Sequence, residues 1–342
     1  MKTKTTDFAY YLSKYFKSYM PGTLGLREKS IEAYQTAFYL FLRFMKNEKN
    51  ISPDKMTLET FNVELVMEYL AYLETAGNSI STRNHRLSVL RSFFKYVQLV
   101  EPKQILLMQQ LLSIKHKKHQ RAAVNYLSAE AIKLLMKEPT ATTKRGYRDM
   151  LLITLLYETG ARVSELTGIK IGELRLEHPA TVIVHGKGGK SRIVTLSKDV
   201  AALIRNYLEK ERLTGFEHGS RLLFTNRSGN MLTGAGVTHI LGKYADRVRE
   251  KYPALIPTTL SPHCLRHSKA MHLLQSGVDL IYIRDLLGHE HLKTTEIYAK
   301  TDNRQKRMAI ESVYTELPDD SGFSGDWSED ASLMIWVKEM CE

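Results

Sequence analysis

A basic stretch in the first half of the chain separates two regions with different hydrophobic patterns. Residues 115–121 read Lys-His-Lys-Lys-His-Gln-Arg and have no apolar face, so we do not expect them to join a core. A chain of 342 residues also favours two domains, because single hydrophobic cores stop growing near this length. We therefore predict a first domain over 7–114, a basic linker over 115–126, a second domain over 127–315 and an acidic tail over 316–342.

The charge of the chain is strongly positive and unevenly distributed. The formal net charge is +12, but the tail from Glu316 onward carries a net charge of −7, which leaves +19 for residues 1–315. A body this basic predicts a polyanionic partner. An acidic lipid surface is the rival partner, but the sequence has neither a long amphipathic basic helix nor a lipidation signal.

The distribution of apolar residues and cysteines indicates the cellular compartment. The longest apolar run, Met150–Leu156, is too short to span a bilayer, and the amino terminus lacks the apolar core of a secretory signal. Cys264 and Cys341 have no CxxC spacing, so we expect neither a structural disulfide nor a cysteine-based zinc site. We therefore expect a cytoplasmic protein.

The first region has the 3.6-residue periodicity of α-helices. In the segment 79–97 five apolar residues fall on one stripe that we expect to face a core: Ile80, Leu87, Leu90, Phe94 and Val97. Helices near 28–46 and 63–75 complete a small bundle, the second closed by Gly77. Basic residues of the same segment are placed outside the stripe, where they face either phosphates or water: Arg83, Arg86 and Lys95.

The second region mixes buried helices with a short hairpin. Residues 148–158 are apolar on nearly every side, which predicts a buried helix that ends at Gly160, so that Arg162 enters at the start of the next helix. The β-branched runs 181–184 and 193–196 flank a glycine-rich turn and predict a hairpin with Lys187 at its tip. The rest is predicted to be helical, so the fold class is mainly α with a small antiparallel β-sheet.

The segment 261–300 concentrates residues suited to phosphate chemistry. It contains His263, Arg266, His289 and Tyr298, and Arg162 supplies a second guanidinium. Arginine grips phosphate oxygens bidentately, histidine donates or shuttles a proton, and tyrosine can form a covalent ester. This set predicts attack on a phosphodiester without a metal.

Two other kinds of site fit parts of the same sequence less well. Gly189-Lys190-Ser191 ends like a phosphate-binding P-loop, but Val184 stands where that motif requires its first glycine. His263 and His267 have the spacing of a zinc-binding pair, yet Arg266 lies between them where a metalloprotease needs a glutamate. We therefore expect neither an NTPase nor a metal centre.

Five motifs in the same order resemble those of the tyrosine recombinase (phage integrase) family. They are TGxRxSEL around Arg162, GKGxKxR over 186–192, HxLRH over 263–267, LGH over 287–289, and TxxxY ending at Tyr298. The resemblance covers about residues 7–315 and implies a two-domain DNA clamp, with a helical core-binding bundle followed by a catalytic domain. It adds no arm-binding domain before Asp7.

The resemblance also implies a mechanism and a role for each residue. Tyr298 attacks the phosphodiester, His263 receives its proton, Lys187 protonates the leaving 5′ oxygen, and Arg162, Arg266 and His289 stabilise the phosphate. Glu165 orients the site. A 3′-phosphotyrosyl intermediate follows, without metal or ATP, on double-stranded DNA held by a tetramer of the chain. The residues expected to contact DNA are Arg83, Arg86, Arg91, Lys95, Lys117, Lys118, Lys190 and Arg192.

Two alternative functions are open to a chain with these motifs, although the intact Tyr298 and the two arginines argue against a catalytically idle one. A type IB topoisomerase would religate the original strand, so a test for partner exchange between two DNA sites distinguishes it from a recombinase. A catalytically idle DNA-binding accessory would form no adduct with a suicide substrate. The target sequence, and the choice among integration, excision and resolution, are not encoded in these motifs.

The acidic tail opens with a helix-breaking segment and ends with an apolar stripe. Residues 317–322 read Leu-Pro-Asp-Asp-Ser-Gly, and beyond them Leu333, Trp336, Val337 and Met340 recur at helical spacing. The tail can fray, fold back on its own domain, or dock into a neighbouring protomer. The family resemblance favours docking in a closed ring of protomers.

Overall fold

The computed structural model describes residues 5–118, 124–301 and 331–340. The chain divides into two compact units, Met1–Ala122 and Ala123–Glu342, and the division falls inside the predicted linker 115–126. Within the described ranges no helix is both long enough and apolar enough to cross a membrane. The predicted fold class, mainly α with a small antiparallel sheet, is confirmed.

The first unit is a helical bundle with an aromatic core. Two polar caps set the starts of its central helices, since the side chains of Asn62 and Ser79 accept hydrogen bonds from the backbone amides of Leu65 and Thr82. Phe8, Phe38 and Phe93 are among the fully buried rings. Its helices are α1 (Asp7–Lys14), which continues as a π-helix (Tyr15–Thr23), α2 (Glu28–Glu48), α3 (Val63–Thr75), α4 (Ile80–Val100) and α5 (Ile105–Ser113).

The structure corrects the predicted position of Arg83 on α4. Its side chain is only 7% exposed, and its Nε lies 2.9 Å from Oε1 of Glu74 on α3. Position 83 lies one turn before Leu87 on the same side of the helix, so it belongs to the buried stripe rather than to the solvated flank. The prediction that Arg83 faces phosphates or water is therefore wrong, because its charge is already paired inside the bundle.

The second unit combines helices with a three-stranded antiparallel sheet of order β1-β2-β3. Strands β2 and β3 pair from Thr181 opposite Thr195 to His185 opposite Ser191, as a hairpin requires. Its helices are α6 (Ala129–Lys137), α7 (Lys144–Thr159), α8 (Val163–Thr167), α9 (Lys198–Lys210), α10 (Gly234–Lys251), α11 (Pro262–Gln275), α12 (Leu280–Leu287) and α13 (Glu296–Thr301). The strands are β1 (Leu174–Arg175), β2 (Thr181–His185) and β3 (Ser191–Thr195), and a further helix covers Ala331–Glu339.

Helix α7 is the central helix of this unit and places the site. Residues 151–153 and 155–156 are fully buried, as the all-round apolar pattern predicts. The helix ends at Gly160, whose φ of +56° is left-handed, and a Cβ there would lie 2.8 Å from Cδ2 of Leu287. The end of α7 therefore touches the end of α12, which brings distant motifs together.

Candidate active site

Arg162 and Glu165 form the first part of the site at the start of α8. The backbone N–H of Arg162 donates to Oε2 of Glu165 at 3.0 Å, and Nη1 of Arg162 donates to Oε1 at 2.6 Å. The Arg162 side chain is 35% exposed, whereas Glu165 is buried. The arginine is therefore anchored at one edge while the rest of its guanidinium remains accessible to a ligand.

Glu165 also binds Arg192 of β3. Nη2 of Arg192 donates to Oε2 of Glu165 at 2.9 Å, and Nε donates to the carbonyl of Leu286 at 2.6 Å. Burial alone would raise the pKa of Glu165, but hydrogen bonds from Arg192 and Arg162 outweigh it and lower that pKa below its usual value. Glu165 thus stays ionised and holds two guanidiniums.

Arg266 of α11 links the ends of α7 and α12. Its Nη1 donates to the carbonyl of Gly160 at 2.6 Å and its Nη2 to the carbonyl of Leu287 at 2.7 Å, and the residue is 3% exposed. Burial, followed by the charge of Arg162, lowers the pKa of Arg266 to about 10. It remains a cation at neutral pH, with further N–H groups beyond the two that bind carbonyls.

His289 follows a left-handed turn at the end of α12. Gly288 has a φ of +64°, and Nδ1 of His289 lies 3.0 Å from Oγ1 of Thr295. Burial and then the charges of Arg266 and Arg162 lower the pKa of His289 to about 4. The imidazole is therefore neutral at physiological pH.

Tyr298 of α13 lies in a small buried cluster and contacts a histidine. Its hydroxyl lies 2.9 Å from Nδ1 of His267 on α11, and the residue is 1% exposed. Burial raises the pKa of Tyr298, although Arg266 and Arg162 oppose this shift. The apolar residues of the cluster are Ala270, Met271, Leu274, Ile283 and Leu287.

The histidine at Tyr298 differs from the one that the motif indicates. The sequence assigned the proton acceptor to His263, but the structure places His267 against the hydroxyl, and the centroid of the His263 ring lies 6.4 Å from that of His267. Residues four apart share one face of a helix, so either could meet Tyr298. Burial, then His263, then Arg266 lower the pKa of His267, which keeps it neutral near pH 7.

A cationic cavity of about 540 Å³ opens beside these residues. Its lining includes Arg162, Lys190, Ser191, Arg192, Arg284 and His289, whereas Tyr298 is not among the described residues that line it. Between two of its lining residues, Nζ of Lys190 lies 3.0 Å from Oε1 of Glu290, an exposed ion pair of the kind that contributes little stability. The excess of cations suits an anionic ligand such as a phosphate.

The hairpin that carries Lys187 is closed by side chains at its base. Lys187 begins a short turn, Lys187–Gly189, between β2 and β3, but its side chain lies outside the described part of the structure. Below the turn, Nδ1 of His185 lies 2.7 Å from Oγ of Ser191, and Nε2 lies 2.8 Å from Oε1 of Glu173. The backbone of the turn is therefore fixed at its ends.

The remaining residues expected to contact DNA occupy different environments. Lys95, Lys118 and Lys190 are exposed, and Arg86 is partly buried. Arg91 donates to the carbonyl of Ile114. Nζ of Lys117 lies 2.5 Å from Oε2 of Glu74, the same carboxylate that pairs with Arg83. Contact between the exposed lysines and phosphates stays a prediction. The side chain of Arg192, by contrast, is hydrogen-bonded to protein groups inside the site.

Comparisons with known proteins find matches in both units. The model described as "Phage integrase, N-terminal SAM-like domain" matches residues 14–99, and the model described as "Phage integrase family" matches residues 125–305. The integrase/recombinase y4rC of Sinorhizobium fredii is 31% identical over 339 residues, covering 99% of this chain and 100% of that protein. Tyrosine recombinase XerD of Listeria monocytogenes is 30% identical over 294 residues, covering 85% of this chain and 93% of that protein. The crystal structure of XerH bound to a palindromic difH substrate, a post-cleavage complex, has a TM-score of 0.60 and 26% identity, covering 76% of this chain and 74% of that chain.

Proposed function

The chain belongs to the phage integrase family, and on that premise we propose which of its residues carry the reaction. It is a site-specific DNA recombinase of the tyrosine class, an enzyme that breaks and rejoins DNA strands. The observation that carries the assignment of its nucleophile is the 2.9 Å contact between the Tyr298 hydroxyl and Nδ1 of His267, because it pairs a nucleophile with a neutral base. Covalent trapping on a suicide substrate tests that assignment.

In the proposed cleavage step the oxygen of Tyr298 attacks the scissile phosphorus of double-stranded DNA. A bond forms between that oxygen and phosphorus, the bond from phosphorus to the 5′ oxygen breaks, and the 3′ phosphate stays on the tyrosine. The phenolic proton passes to His267, and Lys187 donates a proton to the departing 5′ oxygen. A 5′ hydroxyl of another strand reverses these steps, so one phosphate ester replaces another and no ATP is consumed.

The cations around Glu165 stabilise the charge that develops on the phosphate. Arg162 is accessible from the cavity, and Arg266 and His289 lie beside it. Nδ1 of His289 lies 3.0 Å from Oγ1 of Thr295, and we assign the tautomer in which the hydroxyl donates to Nδ1, which leaves Nε2–H as a donor for the phosphate. Hydrogen-bond donors that are already in place around the developing negative charge stabilise the transition state more than donors that must first reorient. Because Tyr298 is buried in the free protein, its hydroxyl must move toward the cavity when DNA binds.

We predict that His267, rather than His263, sets the acid limb of the pH profile. The pKa of His267 lies below its usual value of 6.5, so protonation removes the proton acceptor only at a pH below 6.5. Replacing His267 by Ala should slow single-turnover cleavage by about 10²-fold or more and abolish that limb. His263→Ala is the matched control and should keep the limb. If His263→Ala loses the acid limb and His267→Ala keeps it, His263 is the proton acceptor.

We propose that four copies of the chain assemble on paired DNA sites through the carboxy-terminal segment. In the helix Ala331–Glu339 and the residue after it, Ile335, Trp336 and Met340 are exposed by 60%, 56% and 68%. A segment this short does not fold stably alone, so its apolar residues favour a docked position. Residues 302–330, which include the break at 317–322, lie outside the described structure.

Truncation after Thr315 should leave binding to a single half-site unchanged and reduce assembly and strand exchange on paired sites. The truncated chain keeps the first unit and residues 123–315 of the second, which hold the proposed DNA contacts, and loses the segment proposed to reach a neighbour. Gel-shift titration and a two-site recombination assay measure these properties. Full-length Trp336→Ser is the matched variant and should show the same defect in a milder form. Undiminished cooperativity and exchange in the truncated chain would remove the docking proposal.

A further inference from the structure

Arg192 lies where three segments of the second unit meet. It belongs to β3, its Nη2 donates to Oε2 of Glu165 on α8 at 2.9 Å, and its Nε donates to the carbonyl of Leu286 on α12 at 2.6 Å. The side chain is 13% exposed. Both bonds go to protein groups that hold other members of the site, because Glu165 also binds Arg162 and Leu286 precedes the turn that presents His289.

Arg192 also packs against that turn. A Cβ at Gly288 would lie 3.0 Å from Nη1 of Arg192 and 3.4 Å from its Cδ and Cζ, so the guanidinium lies directly on the glycine backbone. The next carbonyl, that of Leu287, binds Arg266 at 2.7 Å. Two arginines therefore hold two successive carbonyls at the end of α12, and His289 follows after Gly288.

We propose that Arg192 is a positioning residue that couples the hairpin, Arg162 and His289. Through Glu165 it fixes the anchor of Arg162, and through Leu286 and Gly288 it fixes the turn before His289. The proposal rests on the proposed function of the site, since it gives Arg162 and His289 the phosphate as their ligand. It replaces the expectation that Arg192 itself contacts DNA, because two of its nitrogens are already bonded to the protein.

The expected loss of activity without Arg192 follows from the burial of Glu165. Without Arg192 the carboxylate keeps a single cation, Arg162, and the Leu286 carbonyl loses its donor. Arg162 and the His289 turn then lose their common support. A displacement of about 1 Å in a catalytic group can slow a reaction about 10²-fold. Lysine cannot replace Arg192, because a single ammonium does not reproduce the planar fork that reaches two acceptors on different segments.

Single-turnover cleavage by Arg192→Ala and Arg192→Lys tests the proposal. The control is Arg249→Ala, because Arg249 also bonds a carboxylate and two carbonyls, at Asp246, Ile256 and Pro257, and is not among the residues that line the cavity. We expect Arg192→Ala to cleave about 10²-fold more slowly per active molecule, and Arg192→Lys at least about tenfold more slowly. Half-site affinity and its salt dependence should change little, and Arg249→Ala should cleave at the parental rate.

Each other outcome overturns the proposal in a recognisable way. Half-site binding that weakens tenfold with a shallower salt dependence would make Arg192 a phosphate ligand. A smaller fraction of active molecules with an unchanged rate constant would make it a purely structural residue. Parental cleavage by Arg192→Lys would show that charge alone suffices. Failure of the parent chain to form any adduct would instead contradict the proposed function, so the two failures are distinguishable.

Discussion

Tyr298→Phe should bind its DNA site with parental affinity and form no covalent adduct. The phenyl ring keeps its packing against residues such as Met271 and Leu287, so the fold of the cluster is preserved. The hydroxyl, which lies 2.9 Å from Nδ1 of His267, is lost together with its chemistry. Removal of a catalytic nucleophile lowers the rate on the order of 10⁶-fold, whereas loss of one hydrogen bond costs about 1 kcal/mol of stability.

A nicked suicide substrate measures this effect, with adducts resolved on denaturing gels and excess EDTA present throughout. Tyr157→Phe is the matched control, because the Tyr157 hydroxyl lies 2.8 Å from Nδ1 of His272 in a similar tyrosine–histidine contact. That control should be trapped as efficiently as the parent. An adduct formed by Tyr298→Phe would show that another residue is the nucleophile, and loss of cleavage that a metal ion restores would contradict the metal-free mechanism.

Arg266→Lys should combine a large loss of activity with a loss of stability. The guanidinium spans the carbonyls of Gly160 and Leu287, at 2.6 and 2.7 Å, and a lysine cannot reach both while also facing a phosphate. Cleavage should fall by about 10²- to 10³-fold, the range for removing one preorganised donor. Leaving one buried carbonyl unpaired should lower the free energy of unfolding by about 1–3 kcal/mol.

Urea unfolding and single-turnover cleavage separate the two losses. Arg148→Lys serves as the control, because Arg148 also joins a carboxylate and a carbonyl, at Asp149 and Thr225, and is not among the residues that line the cavity. We expect it to lose stability while the rate per active molecule is kept. A parental rate in Arg266→Lys would contradict a role for the guanidinium in stabilising the phosphate.

The parts of the site that sequence could predict are those encoded by local patterns. The all-round apolar run over 148–158 predicted the buried helix α7, and the glycine at its end correctly placed Arg162 at the start of α8. The β-branched runs predicted the hairpin that carries Lys187. These features depend on neighbours within a few residues, so hydrophobic periodicity and turn chemistry suffice to find them.

The parts that sequence could not predict depend on packing between distant segments. His263 and His267 are equivalent on the face of α11, and only the place where α13 packs against it makes His267 the partner of Tyr298. Arg192 looked like a surface cation, but its acceptors lie 27 and 94 residues away. Arg83 lies on the buried stripe of α4, although its charge led to its prediction as an exposed residue. Glu74 on α3 pairs with that charge. The predicted docking of the tail stays a prediction.

Identification of the covalently attached residue tests the role of Tyr298 as nucleophile most directly. After trapping the parent chain on a suicide substrate in EDTA, nuclease and protease digestion followed by mass spectrometry locates the modified peptide and the linkage. We predict a 3′-phosphotyrosyl bond on Tyr298, within the peptide that contains Thr294-Thr295-Glu296-Ile297. Attachment to a different residue, or through a 5′ phosphate, would contradict it.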